Sequence, residues 1–196
     1  MTQRRGRLAR ATLAALLGLA AFGARAEPAR YTLDPAHSWV QFEIVHFATS
    51  TMRGRIGPVE GTASLDREAR RGELGVTIPV GSVSTGFPLF DTHLRGADLL
   101  DVATHPTAWF VARQFAFEGD ALRSVRGEFT FRGVSSGLTL TARRFGCYLH
   151  PRLQREVCGG DFEGELQRSD FGLSYGLPFV ADRVVLKLQV EAIRQD

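Results

Sequence analysis

The chain has 196 residues and a mass of 21.5 kDa, 44% hydrophobic and 23% charged, a balance that supports a packed core and excludes the disordered class. Two cysteines are too few for a disulfide-dense miniprotein, and one short apolar run is too little for a multi-span membrane protein. The formal charge of +3 invites a nucleic-acid partner, but Arg4, Arg5, Arg7, Arg10 and Arg25 lie in the first 26 positions, which hold no acid. Subtracting those five from 24 leaves 19 basic against 21 acidic side chains, a formal charge of −2, and the case for nucleic acid disappears.

From the N-terminus, an arginine-rich start precedes the apolar run Ala11 to Gly23 and then Ala24-Arg25-Ala26. This is the pattern of a secretory signal peptide over residues 1–26, cleaved after Ala26. It implies export to the periplasm and one mature domain over residues 27–196. Period-two alternation dominates that domain, clearest where Val184, Leu186, Leu188, Val190 and Ala192 alternate with Val185, Lys187, Gln189 and Glu191. One apolar face and one polar face describe a half-buried antiparallel strand. The pattern predicts strands over 38–46, 51–66, 73–80, 107–117, 124–132, 137–148, 158–169 and 182–193, with Gly, Pro, Asp and Ser in the connections.

One segment, 89–102, reads as helical, with Asp91 as its N-cap and apolar positions at Phe90, Leu94, Ala97 and Leu100. With no long helices between the strands, a parallel α/β sheet is excluded and an all-β closed barrel or sandwich remains. Eight strands close into a barrel that side chains fill or that holds one small ligand. Small residues at Gly61, Ala63, Gly127, Gly164 and Ala192 among 14 phenylalanines are compatible with an apolar slot and equally with ordinary packing.

Cys147 and Cys158 end one predicted strand and begin the next, so in an exported chain they form a disulfide across a hairpin. The five histidines make no HExxH or compact metal set, and no GxSxG, P-loop or dinucleotide fingerprint occurs. The densest polar group is Asp91-Thr92-His93-Leu94-Arg95. It reads either as capping and a solvated face or as a polar rim whose His93 and Arg95 donate to a ligand head group.

Five motifs in order carry a family resemblance: Tyr31-Thr32-Leu33-Asp34-Pro35-Ala36-His37-Ser38, Val45-His46, Asp91-Thr92-His93-Leu94-Arg95, Arg168-Ser169-Asp170-Phe171-Gly172, and the strand Val184 to Ala192. The mature part resembles the YceI-like family of exported lipocalin-like barrels. The resemblance implies an all-β fold, an eight-stranded antiparallel barrel with a short helical cover. It also implies a polyisoprenoid or similar long-chain amphiphile inside, in the periplasm and without known catalysis; no metal and no cofactor beyond that lipid is expected. Gly96-Ala97-Asp98-Leu99-Leu100-Asp101 departs from the family's usual Ser-x-Asp-Phe-Phe-Asp, two leucines replacing aromatics.

With the alternation, the resemblance places the lipid tail against Phe42 and Ile44, Val76 and Ile78, Phe110, Phe129, Leu140, Phe162, Leu186 and Leu188. The head group falls near Asp91, His93 and Arg95, with His46 and Arg53 at the same mouth. Two rival readings are a lipid-acting esterase or isomerase using His46 or His93 as base, and a filled-barrel interaction protein. Homodimerisation stays open.

Overall fold

The computed structural model describes residues 27–195; the expected signal peptide lies outside the described residues. Ten strands form one antiparallel sheet: β1 (Ala29–Leu33), β2 (Trp39–His46), β3 (Ser50–Ile56), β4 (Glu60–Asp66), β5 (Arg71–Pro79), β6 (Thr107–Glu118), β7 (Ala121–Phe131), β8 (Val134–Leu149), β9 (Glu156–Gln167) and β10 (Val180–Arg194). They occupy eight places around a closed barrel. β1 and β2 follow each other along one edge of β10, β1 opposite Ala192 to Arg194 and β2 opposite Val180 to Gln189. β3 pairs with β2 and β4 with β1, so each of these two places is one strand broken in the middle.

Both breaks have local causes. Between β1 and β2, Asp34 accepts from the Ala36 amide at 3.0 Å and meets His37 Nδ1 at 2.6 Å, winding Pro35–His37 into one 3-10 turn. Between β3 and β4, Pro58 supplies no amide donor for a ladder. The breaks are stitched together where the Val59 amide donates to the Ser38 carbonyl at 3.0 Å, and the buried Ser38 hydroxyl donates to the Glu191 carbonyl at 3.1 Å. The predicted strand 51–66 is therefore two strands in one place, and β1 is a strand that the alternation did not announce.

The small inward residues have a role other than opening a slot. A Cβ on Gly61 would lie 2.2 Å from the Gly75 carbonyl oxygen, and one on Gly127 would lie 2.3 Å from that of Val111. Neighbouring backbone already occupies that space, so these glycines permit close approach in a tightly coiled sheet. On the outer face, Arg113 pairs with Glu73, Arg143 with Glu163 and Arg183 with Glu165. Exposed as they are and screened by solvent, such pairs contribute little, so the stability resides in the apolar interior.

The helix is shorter than the periodicity predicts. α1 covers only Pro88–Leu94, with Phe87 at the N-cap and Pro88 at the first helical position, where its fixed φ favours initiation. Asp91 is inside the helix and accepts from both the amide and the hydroxyl of Thr85 at 2.7 Å. After Arg95 the chain runs through turns, with Asp101 at φ 45°.

The barrel's two ends differ. α1, the 3-10 turns Val80–Ser82 and Arg168–Phe171, the β2–β3 turn and the loop 172–179 gather at one end, which they cover. The connections 66–71, 118–121 and 149–156 lie at the other, with residues 29 and 194.

Candidate binding cavity

The inward rows of the strands surround a cavity of about 190 Å³. A space of ~10–15 Å³ on this scale holds one water, so this is a chamber rather than a packing defect. Its walls include Val40, Phe110, Phe129, Leu140 and Leu188, and no charged side chain borders it. Water inside would find few polar partners, which favours an apolar guest. Of the ten residues predicted against a lipid tail, Phe42, Val76, Ile78, Phe110, Phe129, Leu140, Phe162, Leu186 and Leu188 border the cavity. Ile44 does not: it lies one inward position past Phe42, half-buried between Met52 and Val184.

A polar floor closes the end opposite α1. Tyr31 borders the cavity and donates its hydroxyl to Glu156 Oε1 at 2.6 Å. Glu156 also pairs with Arg67 at 3.2 Å and Arg194 at 3.8 Å. Burial first, then the bond to the Glu156 carboxylate, push the Tyr31 phenol up to about 12. Nothing in the alternation singled out this cluster, because its members come from four separate strands and turns. Beside it, Cys147 and Cys158 face each other across β8 and β9 and are disulfide-bonded, with Cys158 bordering the cavity. The group Cys147, Glu156 and Cys158 is the one set of potential metal ligands among the described residues, and its sulfurs are joined to each other.

At the covered end, the predicted head-group residues separate. Arg95 donates from Nε to the Gly81 carbonyl and from Nη2 to the Val83 carbonyl, both at 2.8 Å, so its guanidinium ties α1 to the turn after β5. Asp91 is buried, and the hydrogen bond from Thr85 holds its carboxyl below the usual range. Both residues build the cover. His93 is exposed on α1, its ring 5.7 Å from that of Tyr175 in an edge contact. His46 ends β2 with its ring 4.6 Å from Phe47. Arg53 turns away from the cavity and bonds Glu43 at 2.8 Å, a carboxylate that also holds Lys187.

Arg168 is the organising residue that the site reading missed. It is 5% exposed and donates to four carbonyls, those of Ala181, Leu173, Tyr175 and Val180. Asp182 accepts from the Ser169 amide and hydroxyl beside it. The run Arg168 to Gly172 was legible as a motif, but its partners are backbone atoms, which leave no trace in residue types.

Residues 31–192 match the YceI-like domain. The chain belongs to the YceI-like family. It is 35% identical over 194 residues to a UPF0312 protein of Pseudomonas aeruginosa, covering 94% of this chain and 98% of that one. It is 32% identical over 187 residues to protein YceI of Salmonella newport, covering 94% and 95%. The fold is that of BcnA from Burkholderia cenocepacia, with TM-score 0.64 and 23% identity over 81% of this chain and 98% of that one. It is also that of a polyisoprenoid binding domain from Saccharophagus degradans, with TM-score 0.63 and 18% identity over 86% and 100%. In this YceI-like chain the two leucines of the cover act differently. Leu100 borders the cavity, whereas Leu99 offers its carbonyl to Arg132.

Proposed function

We propose that the protein binds a long-chain, isoprenoid-type lipid with its tail inside the barrel, and carries or sequesters it in the periplasm once residues 1–26 are removed. The observation that carries this reading is the chamber of about 190 Å³ bordered by no charged side chain. Each buried methylene contributes ~0.8 kcal/mol, so the tail dominates affinity and the head group adjusts it. In this reading the head group lies at the covered end, nearest His93 and His46, while Asp91 and Arg95 hold the cover in place. The ligand class named for the Saccharophagus degradans domain supports a polyisoprenoid. A disulfide, which persists in oxidising compartments, supports the periplasm.

The test is a binding titration with a prenyl alcohol and the matching prenyl phosphate. Ile78→Trp and Leu188→Trp fill the chamber from two separate strands, β5 and β10, and should abolish binding of both ligands, at an overpacking cost of ~1–3 kcal/mol that leaves the barrel folded. Binding unchanged in both folded variants would overturn the proposal.

A further inference from the structure

Exposed apolar side chains are concentrated in charge-free segments at one end of the barrel. The connections at the end opposite α1 carry Arg67, Glu68, Glu118, Asp120, Arg152 and Arg155. At the covered end, the segments 44–52, 84–90 and 171–181 contain no Lys, Arg, Asp or Glu. They expose large apolar side chains instead: Phe47 at 54%, Phe87 at 59%, Leu89 at 75%, Tyr175 at 54% and Phe179 at 62%.

These segments touch. The Phe47 and Phe179 rings stack at 5.3 Å and the Phe47 amide donates to the Phe179 carbonyl at 2.7 Å. Tyr175, on the same loop as Phe179, meets His93 of α1 edge-on at 5.7 Å, and Leu89 lies one helical turn before His93 on the same face.

The tip of the β2–β3 hairpin is the sharpest case. Phe47 and Ala48 have φ of 48° and 51°, a turn that favours Asn-Gly and disfavours a bulky residue. An aromatic here is costly to turn geometry, and more than half of it faces solvent, so neither turn chemistry nor folding burial explains it.

We propose that the covered end is a bilayer-docking surface whose Phe47, Phe87, Leu89, Tyr175 and Phe179 enter the boundary between headgroups and acyl chains. Exposed aromatic and aliphatic side chains from three segments without Lys, Arg, Asp or Glu suit that layer, where rings are stabilised and charges are costly. The ionised side chains of the same end, Arg53, Asp98, Asp170 and Asp182, lie outside these three segments, where headgroups would meet them. The inward row Phe42, Ile44 and His46 of β2 runs from the cavity wall to Phe47, giving a lipid an apolar route between bilayer and barrel. That route rests on the proposed lipid binding; docking itself is measured apart from it.

The experiment is flotation of the exported chain with vesicles of phosphatidylethanolamine and phosphatidylglycerol, and with vesicles of phosphatidylcholine alone. The protein should float with both, with little salt dependence because no charge drives the contact. Phe47→Ser with Phe179→Ser, and Phe87→Ser with Leu89→Ser, should each lower partitioning about tenfold or more. Leu149→Ser with Leu153→Ser, exposed at the opposite end, should leave it unchanged. Absence of flotation, its loss at high salt, or equal loss in all three double variants would overturn docking. A dimer in solution that Phe47→Ser dissociates, without vesicle binding, would overturn it in favour of a second copy of the chain. Prenyl-alcohol binding measured without vesicles separates the two proposals: patch variants should retain it, and a chain that floats but binds no prenyl alcohol keeps docking while losing the cavity reading.

Discussion

Replacing Arg168 by alanine removes one side chain and leaves four carbonyl oxygens without their donor. Nε reaches Ala181 at 2.9 Å, Nη1 reaches Leu173 at 2.6 Å and Tyr175 at 2.9 Å, and Nη2 reaches Val180 at 2.9 Å. A hydrogen bond to a charged donor contributes roughly 1.5–3 kcal/mol, but the four do not add. Ser174 and Tyr175 are exposed, so water reaches part of the vacated space and rehydrates some of the carbonyls. A loss of about 3–5 kcal/mol follows, because each carbonyl left buried without a donor costs about 1–3 kcal/mol and only some are rehydrated. For a domain of this size each kcal/mol lowers the melting point by ~2–4 °C, so Arg168→Ala should melt roughly 6–20 °C below the parent.

Circular dichroism melting of the oxidised protein measures that shift. Hydrogen exchange should show it locally first, at the amides of Val180 and Phe47, which donate to Gly176 and Phe179. Arg168→Lys should recover less than half of the loss, because an ammonium is a point donor and cannot reproduce a planar fork. An Arg168→Ala protein melting within about 2 °C of the parent would refute this account, since it would mean that the loop 172–179 holds itself in place.

Two further outcomes follow from the floor of the cavity. Cys147 and Cys158 are separated by 11 positions, and opening a loop of that order costs about 2–3 kcal/mol through the unfolded chain. The Cys147→Ser, Cys158→Ser protein should show that loss as a lower denaturant midpoint with the fold intact, and an unchanged midpoint would count against it. Tyr31, held near 12 against an ordinary 10.0, keeps its proton in the folded state at pH values where the unfolded chain has released it. Its contribution to stability is complete below pH ~10 and declines as the pH rises through ~12, so urea unfolding should show a stability loss across that window that Tyr31→Phe reduces. An identical alkaline profile in Tyr31→Phe would remove the assignment.

Alternation of apolar and polar residues determined most of the strands, though neither β1 nor the break between β3 and β4, because side chains on a pleated strand point to opposite faces whatever surrounds them. Nine of the ten residues placed against a lipid tail border the cavity for that reason. The hairpin placement of Cys147 and Cys158 was equally local and fixed their pairing. Asp91 and Arg95 were legible as a polar cluster, but their roles depend on Thr85, Gly81 and Val83, which only the tertiary structure brings within reach.

The same holds for Arg168, whose partners are main-chain carbonyls, and for Tyr31, whose neighbours Glu156, Arg67 and Arg194 are distant in sequence. β1 and β2 sharing one edge of β10 was also decided in three dimensions, since two short strands can occupy one place only where a third is long enough to pair with both. The sequence by itself therefore determined which face of each strand is apolar. Closure of the sheet decided what that face encloses, because a cavity is a property of eight strands at once and of none singly.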